Sequence, residues 1–496
     1  MPSPKKDDLM KHALGGIIWK FSERVLAQLV SLVVSVVLAR ILMPEDYSLV
    51  SIVAIFFAFC NVLVAGGFNA ALIHKKDADS QDYSSVLYLT LAVAAVLYGL
   101  MFFLAPWLAQ LYEQPLLVAV TRVMALTFFI NAFKSVLSAY TSSNLQFKKF
   151  FFSTIIGTVV SAVVGIYMAA KGFGVWALVA QNMVNSFLDT VILWITTRLK
   201  LVCRFSWKRL KGLLGYGWKV FVASVIGVAY EQINPLIVGL RFTTTDLAFY
   251  SKGQSFPSLI NSTVRDTMSA VLFPVMNKVQ DSKEAVLELT RRYVKLASFV
   301  VFPMMIGFGT VAESFITVVL TEKWLAAAPY IQIFALSYMF DLIFVGNLQA
   351  IQSIGRTDVT LIMEIIKKSC YAAVIFLFVM LSDSPVVLAM STVVCTLVAL
   401  VVNTYPNRKL IGYKYRYQLQ DMLPNLILAA IMGAIVLLVG QLPLAAGWLL
   451  PLQVVCGVLV YGTMCLITKN ESLLYLWKLL KRSENNDQES SQGDPQ

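Results

Sequence analysis

Apolar residues recur along this chain in runs of about 20, the length an α-helix needs to cross the hydrocarbon core of a bilayer. Polar residues collect in the short segments between those runs. The pattern predicts fourteen spanning helices, near 14–40, 47–65, 84–110, 116–140, 150–170, 174–197, 213–240, 246–273, 293–319, 326–352, 358–381, 385–405, 423–442 and 447–467. The eighth is the most polar, with Lys252, Asn261, Arg265 and Asp266 around Pro257. Its place follows from an internal repeat that needs a counterpart to 47–65. Pro235, Pro257 and Pro303 predict kinks in spans seven to nine, which neighbouring helices can absorb.

The repeat shows best in the first span. It runs from Gly15 to Arg40, turns through Met43-Pro44-Glu45-Asp46 and resumes at Tyr47. About 200 residues later, Gly217-Trp218-Lys219 opens a similar helix that ends near Arg241 and turns through Thr244-Thr245-Asp246 before Tyr250. Trp19/Trp218, Lys20/Lys219, Arg40/Arg241 and Asp46/Asp246 correspond. So long a period marks a duplicated bundle, since solenoid periods are roughly 20–50 residues. Both helices carry a stripe of polar or small residues at helical spacing: Lys20, Arg24, Gln28, Ser31 and Ser35 in one, Lys219, Ala223, Gly227, Glu231 and Asn234 in the other. In a membrane such a face turns to a protein interior or a water-filled cavity, because lipid offers charge no partner.

Composition fixes the solvent. Hydrophobic residues make up 58% of the chain, charged residues 14%, and the mean hydropathy is +0.73, against roughly 25% charged in soluble domains. The first apolar run follows Lys5, Lys6 and Lys11 with no small-residue cleavage site, and so reads as an uncleaved first span. The six cysteines are scattered, with neither metal spacing nor a disulfide framework. A net charge of +12 admits nucleic acid as a partner, but its placement argues otherwise. With the N-terminus inside, the inner segments hold 26 of the 40 Lys and Arg, the outer loops hold four (Arg40, Lys171, Arg241, Lys323), and the helices hold ten. That asymmetry places both termini in the cytoplasm. It makes the head groups of membrane lipids the partner of the charge, and nucleic acid is excluded. The inner segment 198–212 sets Phe205, Trp207 and Leu210 among Lys and Arg, as an amphipathic linker would, and the tail after Arg482 has a disordered composition.

For catalysis the inventory is thin. There are two histidines, His12 and His74, and no glycine-rich phosphate loop, CxxC pair or HExxH. The chain predicts no enzyme, no metal and no cofactor. The informative residues are ionisable groups within helices, since a charge at bilayer depth costs roughly 3 kcal/mol on insertion scales. Some have bland explanations. Lys20 and Lys219 are near enough to the inner interface to snorkel, Glu364 with Lys367 and Lys368 has the spacing of a self-satisfied set, and Lys295 and Glu313 read as interfacial. Arg265 beside Asp266 could satisfy neighbouring helices. Arg24, Arg122, Lys252 and Arg265 each lie a turn or more from a helix end. With Lys219 they are the candidate lining of a cationic cavity for an anionic substrate, Arg offering phosphate a planar fork and Lys a point charge. Asp189, Glu231 and Asp341 either couple transport to H⁺ or Na⁺ or act as partners of that lining.

Three segments carry a family resemblance. LARILMPEDYSLV (38–50), VLFPVMNKVQDSKE (271–284) and LTEKWLAAAPYIQIFAL (320–336) resemble the Wzx-type (WzxC-like) lipid-linked oligosaccharide flippases of the multidrug/oligosaccharidyl-lipid/polysaccharide (MOP) superfamily. The likeness extends over roughly 10–470, with Ser48 where the family usually has Gly. It implies an all-α polytopic membrane protein of the bacterial inner membrane with 14 transmembrane helices. Two pseudo-symmetric six-helix bundles (1–197 and 213–405, joined by the linker 198–212) would surround a central cavity, followed by two C-terminal helices (406–467) and a cytoplasmic tail (468–496). It also implies an undecaprenyl-diphosphate-linked oligosaccharide as substrate, moved outward by alternating access, with a polysaccharide polymerase and a chain-length regulator as neighbours. The alternative is a multidrug (MATE-like) cation-coupled antiporter, which would need a cavity dominated by carboxylates.

Overall fold

The computed structural model describes residues 6–75, 77–144, 146–202 and 204–474. The side chains of Lys20 and Asp266, the Cys203 thiol and the tail beyond 474 lie outside the described residues. All regular structure among the described residues is helical. The α-helices in chain order are α1 (Lys6–Ile41), α2 (Pro44–Ala65), α3 (Phe68–His74), α4 (Ser80–Leu111), α5 (Leu117–Ala125), α6 (Thr127–Ser143), α7 (Phe147–Ala170), α8 (Val175–Thr197), α9 (Trp207–Arg241) and α10 (Thr244–Lys278). They continue with α11 (Lys283–Thr310), α12 (Ala312–Phe315), α13 (Ala328–Tyr338), α14 (Asp341–Ser353), α15 (Thr357–Leu381), α16 (Pro385–Thr404), α17 (Asn407–Leu410), α18 (Tyr415–Gly440) and α19 (Ala446–Ile467).

Among the described residues, twelve segments are long and apolar enough to cross a membrane. The two predicted spans outside that set are α10 and α15. Length is not their shortfall, since 25 residues of α15 reach about 37 Å at ~1.5 Å per residue. Polarity is: α10 carries Lys252, Gln254, Asn261 and Arg265 among several Ser and Thr, and α15 carries Glu364, Lys367 and Lys368.

The repeated corner has one physical cause in both places. Asp46 accepts a hydrogen bond at Oδ2 from the backbone N–H of Met43, 3.1 Å away, and so caps α2, whose first residue is Pro44. Asp246 accepts from the backbone N–H of Thr243, also at 3.1 Å, and from its hydroxyl at 2.6 Å. Each carboxylate satisfies donors that a helix start leaves unpaired. Both turns are therefore shorter than the apolar pattern predicts, and the helices resume at Pro44 and Thr244 rather than at 47 and 246. Ser48 is buried, its hydroxyl donating to the Glu45 carbonyl at 2.7 Å.

Several spans are interrupted. The α2–α3 segment breaks at Gly66 and Gly67, both left-handed at φ 54° and 69°. The α5–α6 segment breaks at Leu126, and α13–α14 breaks at Met339 and Phe340. By contrast, α9 and α11 remain helical through Pro235 and Pro303.

Contacts divide the chain into two compact units, Met1–Ser251 and Lys252–Gln496, the division falling inside α10. In the first, Leu72, Tyr83, Leu137, Leu193 and Leu210 share one core, and the rings of Phe57 and Phe128 meet at 4.6 Å. In the second, Phe302, Leu342, Ile343, Tyr413 and Ala429 are fully buried in another.

Candidate functional site

In the second unit the break between α13 and α14 puts Asp341 at the first position of a half-helix, where the helix dipole favours a negative charge. Its Oδ2 accepts from Asn261 Nδ2 at 2.8 Å and from Arg265 Nη1 at 3.4 Å. On the other side of the break, the Tyr338 hydroxyl accepts from Gln254 Nε2 at 3.0 Å. Gln254, Asn261 and Arg265 are seven and eleven residues along one face of α10, so a single polar row follows both sides of the interruption. Neither member of the ion pair is sealed off, with 41% of the Arg265 side chain and 29% of the Asp341 side chain exposed. The guanidinium is thus tied to the break by Asp341, while part of the side chain remains exposed.

Lys252 sits differently. It is only 6% exposed, and its ammonium lies 5.6 Å from the centroid of Phe256 and 5.7 Å from that of the fully buried Trp324. Ring faces take the place of water around this cation, which fastens α10 to the Glu322–Ala327 turn. Lys367 pairs with Glu364 at 2.5 Å, as its spacing predicts.

In the first unit the predicted residues disperse. Asp189 is buried on α8 and pairs with Lys134 of α6 at 2.7 Å. Arg122 lies over the Phe102 ring, its Cζ 3.9 Å from the centroid, and its Nε donates to the Phe102 carbonyl at 3.3 Å. Arg24, Lys219 and Glu231 are exposed. The structure therefore joins Arg265 to Asp341 and gives Arg122, Asp189 and Lys252 separate partners. Sequence reasoning left Asn261, Gln254 and Tyr338 out of the site, and it left Lys134 in the general set of buried charges. The signal for Lys134 and Asp189 was present only as opposite charges in the fourth and sixth predicted spans. Asn261 counted only toward the polarity of the eighth span, and Gln254 carried no signal.

An apolar groove of about 540 Å³ runs along the second unit, lined by Pro303 and Met304 of α11, Met432 and Val436 of α18, and Val454 and Val458 of α19. Among the described residues, no three His, Cys, Asp or Glu converge as a metal site.

A protein-family model described as a polysaccharide biosynthesis protein matches residues 37–329, more than half of the chain and inclusive of the 38–50 corner. The succinoglycan biosynthesis transport protein ExoT of Rhizobium meliloti is 24% identical over 301 residues, 61% of each chain. The lipopolysaccharide biosynthesis protein WzxC of Escherichia coli is 20% identical over 333 residues, 66% of each chain. The chain thus spans less than two thirds of the length of these curated relatives. Among solved structures, the lipid II flippase MurJ in an inward closed conformation superposes with a TM-score of 0.75 at 15% identity, covering 92% of this chain and 98% of that one. That likeness establishes the fold shared with MurJ. With the match across 37–329, the Wzx-type resemblance of the corner motif is borne out, and the chain belongs to the polysaccharide biosynthesis protein family.

Proposed function

We propose that this protein is a flippase that carries undecaprenyl-diphosphate-linked oligosaccharide repeat units across the bacterial cytoplasmic membrane for surface polysaccharide synthesis. It acts without catalysis, by alternating access of two six-helix bundles, 1–197 and 213–405, joined by the 198–212 linker and followed by two further helices in 406–467. On this reading α10 and α15 also span, giving fourteen helices with both termini in the cytoplasm. The polymerase and chain-length regulator act on the product as neighbours.

The observation that carries the reading is the part-exposed Arg265 guanidinium, held at the α13–α14 break by Asp341. Inside a membrane, a cation presented this way suits a diphosphate or an acidic sugar. Arg24 and Lys219, both exposed on the first unit, are the next candidates for contact with an anionic substrate. Arg122 and Lys252, already engaged by aromatic rings, are assigned to holding their own helices, α5 on α4 and α10 on the Glu322–Ala327 turn. The apolar groove along α11, α18 and α19 supports the reading from the other end of the substrate, since a prenyl chain can follow it.

A cation-coupled multidrug antiporter is the alternative. Against it, Asp189 and Asp341 are each neutralised by a base within the same unit. The deciding experiment follows lipid-diphosphate-linked oligosaccharide in vesicles for wild type, Arg24→Ala and Arg265→Ala. Loss of flipping in Arg265→Ala with normal membrane insertion is the expected result. Normal flipping in both variants would sink the site, and drug efflux without flipping by wild type would replace the function with the antiporter.

A further inference from the structure

In the second unit α11, α18 and the segment that follows α19 meet around Lys295. Asn470, just beyond α19, donates from Nδ2 to Asn425 Oδ1 of α18 at 2.8 Å. Asn425 in turn donates to the Lys295 carbonyl at 3.1 Å, and the Ser472 hydroxyl donates to the same carbonyl at 3.4 Å. The segment is thereby fastened to both helices. Two adjoining cavities, of about 310 and 470 Å³, remain between them and share Lys295, Glu471 and Ser472. The smaller reaches Arg291 and Arg292, and the larger reaches Lys469 and Thr468.

Four bases in these linings face three acids, and the acids differ in how firmly they are committed. Asp421 is only 1% exposed, and Arg291 holds both of its oxygens. Glu288 pairs with Arg292 one turn along α11. Glu471 alone of the three lines both cavities, and it meets Lys295 at 2.5 Å with 79% of its side chain exposed. An ion pair so open to water contributes little, so another anion can take its place. With Glu471 swung away, four bases would face two acids.

The larger cavity changes character along α18. Pro424 and Ile427 line it, and with Gln420 and Ile431 they form an exposed row at helical spacing. That row leads from the charged end into the apolar span Tyr415–Gly440. One end of the site thus suits an anion and the other a hydrocarbon chain. A phospholipid with an anionic head group has both.

We propose that the cavities around Lys295 bind an anionic phospholipid, whose phosphate replaces the Glu471 carboxylate on Lys295 while an acyl chain lies along Pro424, Ile427 and Ile431. Arg292 in one cavity and Lys469 in the other add positive charge to the head-group end, where bonds to phosphate are charge-assisted. The ligand is a lipid of the surrounding bilayer, so the site stands whether or not the protein moves an oligosaccharide.

Native mass spectrometry of the whole protein in detergent, with phosphatidylglycerol offered against phosphatidylethanolamine, reads the site directly. Wild type should retain phosphatidylglycerol in preference. Lys295→Gln and Lys469→Gln should each weaken retention, and the double variant should lose roughly tenfold. Glu471→Gln should strengthen retention, because the competing carboxylate is gone. Lys208→Gln, at an exposed base of the first unit, should leave it unchanged. Lys295→Gln also removes an ion pair of the fold, so Lys469→Gln and Glu471→Gln carry the test if that variant does not fold. Equal retention of the two lipids, an equal loss in Lys208→Gln, or weaker retention in Glu471→Gln would each overturn the site. Binding of inorganic phosphate with no phosphatidylglycerol retained would overturn it as well.

Discussion

Arg291 meets Asp421 with two parallel hydrogen bonds, Nε to Oδ2 and Nη2 to Oδ1, both 2.8 Å long. The carboxylate side chain is only 1% exposed, and it also accepts from the Tyr413 hydroxyl at 2.9 Å, with Lys295 at 3.6 Å. Its neighbours on the same face of α18 are engaged in the same way. Gln418 exchanges hydrogen bonds with Asn347, and Asn425 donates to Ser298 at 2.8 Å. The first half of α18 is thereby tied to α11 and α14 by a buried polar row.

Removing one partner of such a pair is costly because the other is left buried with its charge. Arg291→Met should destabilise the protein by about 1.5–3 kcal/mol, with Tyr413 and Lys295 limiting the loss. Arg291→Met/Asp421→Leu should recover part of it. Unfolding in detergent measures both, and a double variant less stable than the single one would contradict the account.

Gly346 lies against the ring of Tyr293, and a methyl there would sit 2.4 Å from the ring's Cδ1. Gly346→Ala should therefore cost about 1–3 kcal/mol through overpacking. The Tyr293 hydroxyl is buried with no hydrogen-bond partner among the described residues. Tyr293→Phe should leave stability unchanged or raise it, since it removes an unsatisfied group and nothing else. A Tm that falls in Tyr293→Phe would show that the hydroxyl has a bound partner.

If Asp341 serves to hold Arg265, the two residues act as one element. Asp341→Asn keeps an oxygen for Asn261 but loses the charge that attracts the guanidinium. Transport should drop in Asp341→Asn and further in Arg265→Ala, and the double variant should be no slower than Arg265→Ala alone. Additive losses would assign Asp341 a separate role, as ion coupling would require.

The spans and the corner were legible in the sequence because each is local. A run of apolar residues states its own length, and Asp46 and Asp246 sit three residues after the backbone N–H groups they cap. The site was only half legible. Arg265, Asp341, Asp189 and Lys252 stood out as charges in apolar surroundings, which is a local fact. That Arg265 belongs with Asp341, 76 residues on, and Arg122 with the Phe102 carbonyl and ring is decided by tertiary packing. Asn261 lowers the hydropathy of its span, but hydropathy does not say which side chain it meets. The polar row on α18 was hidden for the same reason, its residues reading as a charged loop end.

Arg209, in the first turn of α9, donates to both oxygens of Asp79 at 2.6 Å, and this tie has a pH dependence whose direction is fixed. Hydrogen bonds from Arg209, and from the backbone at Asp82, hold the Asp79 carboxyl down to about 2 from its ordinary 3.8. A carboxyl depressed in the folded state stabilises that state above its unfolded value, and the contribution is lost as pH falls through the folded one. The Arg209–Asp79 tie is thus complete at neutral pH and disappears only between about pH 4 and pH 2. Arg209→Gln removes its cause. The difference in Tm between wild type and Arg209→Gln should be small, because exposed pairs contribute little, and constant from about pH 8 to pH 5. It should then close as the pH drops below about 4. A difference that closes near neutrality would mean that a group other than Asp79 carries the tie.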